Sequence, residues 1–115
     1  MNVPYHADVL DAPLTVVGPK AGATDGDPIE SILELSDDGR TSTGIWACTP
    51  GSFPSARDGY SEVMTFVAGD ATITDEDGTQ HPIAAGTTIV LDDGWRGSWT
   101  IRETVRKVYV IVQSD

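Results

Sequence analysis

The chain has 115 residues and a net charge of −11, set by 18 acidic and 7 basic side chains. That length fits one domain with one modest core. The negative field repels both a phosphate backbone and an anionic membrane surface, so neither nucleic acid nor membrane is an expected partner. Twelve glycines and seven prolines suit a turn-rich all-β chain better than a helical one.

Residues 1–38 read as an N-terminal arm. Met1 to Leu10 has neither the basic nor the apolar region of a signal peptide. No stretch of the chain approaches the roughly 18 apolar residues of a membrane helix. Cys48 is the single cysteine, so no internal disulfide forms, and the expected location is the cytoplasm. Pro4, Pro13, Pro19 and Pro28 interrupt the arm, and only Leu14 to Val17 looks like a strand. Ile29 to Leu35 fits a helical turn or an irregular strand equally well. Asp37-Asp38-Gly39 is a turn.

Residues 39–115 read as a barrel of about eight short strands. Thr41 to Thr49 is a strand with Gly44, Trp46 and Cys48 on one face, because side chains alternate with period two. Ser52 to Gly59 reads as a loop. Tyr60 to Ala68 is a strand with Tyr60, Glu62, Met64 and Phe66 on one face, and Gly69-Asp70 reads as a tight turn. Asp77-Gly78 between two β runs marks a hairpin. Thr87 to Leu91 is a further strand. Trp99 to Glu103 and Lys107 to Val112 read as a closing pair joined by a short turn. Apolar residues on both faces, such as Val63 and Val67 opposite Met64 and Phe66, lead us to expect a homodimer.

Gly44-Ile45-Trp46 with Thr49-Pro50-Gly51, Glu62 followed by Gly69, Ala85-Gly86, the Trp95 to Trp99 segment and Val105-Arg106-Lys107-Val108-Tyr109 together resemble the cupin superfamily. The resemblance covers roughly residues 39–112. It is to small single-domain cupins, like the cupin domain of ureidoglycine aminohydrolase and those of ethanolamine-utilisation proteins. It implies a double-stranded β-helix, a jelly-roll barrel with one open mouth, usually dimeric. It also implies a metal site: a His-x-His pair upstream of a Glu, and a second-motif His. Glu62 holds the Glu position here. The His-x-His positions fall near Ser55 and Arg57, and the second-motif position falls near Gly97, so the imidazoles are missing. The only histidines are His6 and His81. We therefore expect no metal and no cofactor, unless His6 folds over the mouth beside Glu62.

The remaining chemistry rests on a few side chains. Glu62 among Trp46, Met64 and Phe66 would be a desolvated carboxylate suited to acid–base work, or a structural partner of Arg57 or Lys107. Arg57 could grip a substrate carboxylate or be an exposed loop residue. Trp46, Trp95 and Trp99 could wall a pocket or fill the core. Lys107 and Tyr109 share a face of the last strand. Turned inward, they make an acid–base trio with Glu62; turned outward, they are sheet surface. Cys48 reads as a buried, inert thiol. The expected protein binds a small polar molecule in its barrel. As an enzyme it would be a metal-independent hydrolase, lyase or isomerase. The alternatives are a non-catalytic binding or accessory module and a structural partner of another protein.

Overall fold

In the computed structural model, which describes residues 3–115, the period-two stretches become nine strands. They are β1 (Thr15–Pro19), β2 (Asp25–Gly26), β3 (Ile29–Asp37), β4 (Thr41–Cys48), β5 (Gly51–Ala56), β6 (Tyr60–Asp75), β7 (Gln80–Ala84), β8 (Thr88–Leu91) and β9 (Arg96–Gln113). Every pairing is antiparallel. The result is the all-β jelly-roll barrel that the resemblance implies. No helix of the described residues is long and apolar enough to cross a membrane.

Two long strands carry the architecture. The C-terminal half of β9 lies between β4 and the N-terminal half of β6, while its N-terminal half lies between β5 and the C-terminal half of β6. Each long strand therefore belongs to both walls of the barrel, bending as it passes from one to the other. The β6–β9 register slips between Phe66 and Ala71, and Gly69 sits in that segment with φ of +107°. One wall is completed by β1, β3, β4 and β8, the other by β2, β5 and β7. Between the walls, Trp99 stacks on Phe53 at 5.8 Å and meets Trp46 edge-on at 5.6 Å. Phe66, Met64, Ile73, Ile101 and Val105 fill the space around them.

Three expectations need correction. Ser52 to Gly59 is not a loop: β5 pairs with residues 96–101 of β9 and buries Phe53. Its Pro54 disguises it, yet β2 covers only Gly51 and Ser52, so Pro54 lies along an edge that tolerates proline. Gly69-Asp70 is not a hairpin turn but a bend within β6. Trp99 to Glu103 and Lys107 to Val112 are not a pair but one strand, β9, whose polar Arg102-Glu103-Thr104 imitates a turn. The ambiguous Ile29 to Leu35 is strand, with an irregularity between Glu34 and Ser36. The Asp77-Gly78 hairpin joins β6 to β7 as read. Of the two valines on which the homodimer expectation rests, Val63 is exposed and Val67 half-buried.

Candidate functional site

The inner face of the first wall is set by register. Ile32, Trp46, Lys107 and Phe66 lie in one cross-strand row, and Glu34, Gly44, Tyr109 and Met64 in the next. Glu62, opposite Ile111 and Leu91, points the same way. Gly44 has no side chain because none fits: a Cβ there would stand 2.6 Å from the Tyr109 hydroxyl. The question of which face of the last strand is inward is thus answered, with Lys107 and Tyr109 each only 4% exposed. The neighbouring valines, Val108, Val110 and Val112, take the outside.

These rows open onto a cavity of about 180 Å³, lined by Trp46, Arg57, Glu62, Trp99, Lys107 and Tyr109 among others. At about 30 Å³ per water, it offers the space of roughly six waters, the size class of a small organic acid. Lys20, Glu30 and Tyr60 form its less buried rim.

Glu62 is the electrostatic centre. Lys107 Nζ donates to Glu62 Oε2 at 2.7 Å, and Arg57 Nε lies 3.1 Å from Oε1. The Arg57 contact is an ion pair without hydrogen-bond alignment, since Nε has no aligned acceptor. Arg57 Nη1 instead donates to Ser55 Oγ at 2.8 Å and to the Ala56 carbonyl at 3.0 Å. Lys107 Nζ also meets Met64 Sδ at 3.1 Å and stands 4.4 Å and 5.1 Å from the Trp46 and Trp99 ring centroids. Those π faces share in holding a desolvated cation. At the rim, Glu30 Oε1 accepts from Trp46 Nε1 at 3.0 Å and from Lys20 Nζ at 3.2 Å. The Trp99 Nε1–H is buried without an acceptor.

Burial pushes the Lys107 ammonium down to about 8, against the pull of Glu62, which favours the charged form; Arg57 and Lys20 push the same way as burial. The same desolvation raises Tyr109, helped by Glu34 and Glu62. It also raises Cys48 to about 11, leaving a buried, protonated thiol. Because the folded value of Lys107 lies below the unfolded one, its charged form disfavours folding below pH 8. That penalty is relieved as pH rises from about 8 towards the unfolded value of 10.5. We expect the Lys107 Cε resonance of lysine-labelled protein to titrate with a midpoint near 8. Glu62→Gln should move that midpoint lower, because it removes the group that favours the cation. A midpoint above 10, or an upward shift in the variant, would contradict this electrostatic account.

The cavity brings together six of the seven residues singled out from the sequence: Glu62, Lys107, Tyr109, Trp46, Arg57 and Trp99. Trp95 stands outside it. Its Nε1 donates to Asp75 Oδ1 at 2.8 Å, and its ring lies 5.8 Å from the Arg57 guanidinium. It thereby flanks Arg57 without lining the cavity. Sequence reasoning missed Lys20, Glu30, Phe53, Ser55 and Tyr60 as cavity residues. The Lys20–Glu30 pair had no readable signal, because it depends on the pairing of β1 with β3.

His6 does not reach the mouth. It lies in an outer-face groove with Val9, Leu33, Leu35 and Val108, across the sheet from Glu62. His81 is bound to Asp75 at 2.9 Å, in the Trp95 cluster. The space where a second-motif imidazole would stand is occupied, since a Cβ on Gly97 would run into the Trp95 ring at 2.5 Å. Among the described residues, no three His, Cys, Asp or Glu side chains converge on a point that could hold an ion. Both oxygens of Glu62 already face cations, and a divalent ion would meet two more positive charges. The donor set does not fit a metal.

The model for an EutQ-like cupin domain matches residues 35–109. Among solved structures, the chain is similar to a DUF861 protein of unknown function from Pseudomonas syringae, at 26% identity with a TM-score of 0.81. That match covers 91% of this chain but 46% of the other, so the chain spans about half the length of that relative. A DUF861 protein of Thermotoga maritima is 31% identical over 56% of this chain and 73% of its own, with a TM-score of 0.54. The EutQ protein of Clostridium difficile shares the fold at 18% identity, with a TM-score of 0.66, over 80% of this chain and 71% of its own. No curated protein sequence matches the chain.

Proposed function

The chain belongs to the EutQ-like cupin family, and from that premise we propose that it binds a small carboxylate in its barrel and performs metal-independent acid–base chemistry on it. The observation that carries this reading is one carboxylate, Glu62, held between two buried cations in a cavity of small-metabolite size. The chain has seven basic residues in all, and three of them, Lys20, Arg57 and Lys107, line this cavity against two carboxylates. In a protein of net charge −11, that local excess selects an anionic guest. The unpartnered Trp99 Nε1–H adds a buried donor whose cost a ligand oxygen would relieve.

In this reading, Glu62 is the base and Lys107 or Tyr109 the acid. Arg57 anchors the substrate carboxylate, and Trp46 and Trp99 keep water out. The reaction class is proton transfer: isomerisation, dehydration, or hydrolysis at a C–N or C–O bond. One observation favours a second reading, a non-catalytic binding module. Glu62 and Lys107 already satisfy each other at 2.7 Å, as a purely structural pair would.

A thermal-shift screen of small carboxylates tests the site. A true ligand at 100 times its dissociation constant stabilises the fold by about 2.7 kcal/mol. Glu62→Gln then separates the readings. An enzyme loses turnover while its ligand still raises the melting temperature; a binding module shows no turnover in either form. No stabilisation by any carboxylate, or undiminished turnover in Glu62→Gln, would sink the assignment.

A further inference from the structure

Deepening the cavity reading on which it rests, we propose that Lys107 is a covalent nucleophile that condenses with the carbonyl carbon of a small 2-oxo acid. Three features of its surroundings are those an imine-forming amine needs. Lys107 is almost fully buried yet lines the cavity, so its amine is both desolvated and reachable by a guest. Glu62 Oε2, 2.7 Å from Nζ, is placed to take the proton that the ammonium must lose before it can attack. Arg57, against the other Glu62 oxygen, is placed to hold the carboxylate next to the reacting carbonyl. Burial supports the chemistry further, since an amine brought down to about 8 keeps a useful free-base fraction near neutrality.

The step balances without a further reagent. Glu62 accepts a proton from the Lys107 ammonium, and the neutral Nζ adds to the carbonyl carbon while the carbonyl oxygen takes that proton back. The nitrogen of the resulting carbinolamine, still protonated, passes a second proton by way of Glu62 to the hydroxyl, which leaves as water and gives the iminium. Ammonium and carbonyl become iminium and water, with no change of oxidation state. The site keeps its charge balance, because the iminium carries the positive charge the ammonium had and still faces Glu62. The Trp46 and Trp99 rings that flank the ammonium flank the iminium too. An iminium withdraws electrons from the adjacent carbon, so exchange of the protons on that carbon is the activity that follows from it.

The chain contains only two lysines, Lys20 and Lys107, which makes the test internally controlled. The full-length protein is incubated with pyruvate and cyanoborohydride and analysed by intact mass and peptide mapping. The expected result is one reduced pyruvyl group, on Lys107, formed at least tenfold faster than on rim-located Lys20. Exchange of the pyruvate methyl protons for deuterium, followed by NMR, should accompany it and vanish in Lys107→Met. Should that variant fail to fold, the Lys107-to-Lys20 ratio in the unaltered protein still decides. An adduct spread over both lysines and the N-terminus, or none at all, overturns the proposal. Thermal shifts with pyruvate and with propionate, which has no carbonyl, separate the two failures. Stabilisation by both without an adduct overturns the nucleophile and leaves the carboxylate site standing. Stabilisation by neither, with no adduct, removes the nucleophile and counts against the carboxylate site as well.

Discussion

Glu62→Ala is expected to cost about 3–5 kcal/mol of folding free energy, the usual consequence of removing one partner from a buried ion pair. The reason is a count of charges. In the folded barrel, Glu62 stands 4% exposed between Lys107 at 4% and Arg57 at 6%. Without it, two buried cations face each other with no carboxylate between them. Lys107→Met is expected to cost far less, because it leaves the Glu62–Arg57 pair, one charge of each sign, and puts an apolar chain among Trp46, Trp99 and Met64. Urea denaturation of both variants checks the order. A Glu62→Ala loss within 1 kcal/mol of the Lys107→Met loss would mean that the two cations are better solvated than their burial implies. Replacing buried ion pairs by apolar residues is often neutral or stabilising in other proteins. A second buried cation around one carboxylate is therefore not what stability requires, and it is the part of the arrangement that the ligand reading explains.

The sequence was most legible where period two met an unbroken strand. The face carrying Glu62, Met64 and Phe66 was readable because β6 keeps its alternation through them, and Asp77-Gly78 marked its hairpin. It was least legible where one strand serves two walls. Gly69 and the Arg102-Glu103-Thr104 run carry the local chemistry of turns, yet each lies inside a long strand whose residues before and after it are paired. The inward face of the last strand could not be chosen from its own residues, since Val108 and Val110 are as apolar as a core demands. Gly44 decides it, by leaving room for the Tyr109 ring on one face of β4, and only pairing reveals that Gly44 faces Tyr109. The rim pair Lys20–Glu30 was hidden for a related reason. It lies in a segment whose prolines and glycines read as an arm, while its spatial neighbours Trp46 and Phe53 come from β4 and β5.

Gly69→Ala is expected to be the other severe substitution, costing roughly 3–5 kcal/mol as backbone strain and overpacking combine. Gly69 adopts a φ of +107°, where a side chain is strained whatever the space. The space is also taken: a Cβ would stand 2.5 Å from the Thr104 carbonyl oxygen and 2.6 Å from the Val105 Cα, both backbone atoms of the crossing strand. Neither can retreat without opening the β6–β9 ladder at the point where both strands change walls. That bend is what lets a single β9 place Trp99 in one wall and Lys107 in the other with both facing the cavity. Its loss should therefore show in two ways. The melting temperature should fall by well over the 4–8 °C that about 1 kcal/mol produces in a domain near this size. In whatever fraction still folds, the near-ultraviolet signal of the packed tryptophans should weaken. Gly39→Ala is the control, with φ of +87° but nothing within 4 Å of the added atom. It carries the strain without the collision, and its cost should be limited to about 1–3 kcal/mol. Equal losses at the two positions would show that the close crossing of β6 and β9 adds nothing, and that the bend is not what couples the barrel's walls to its site.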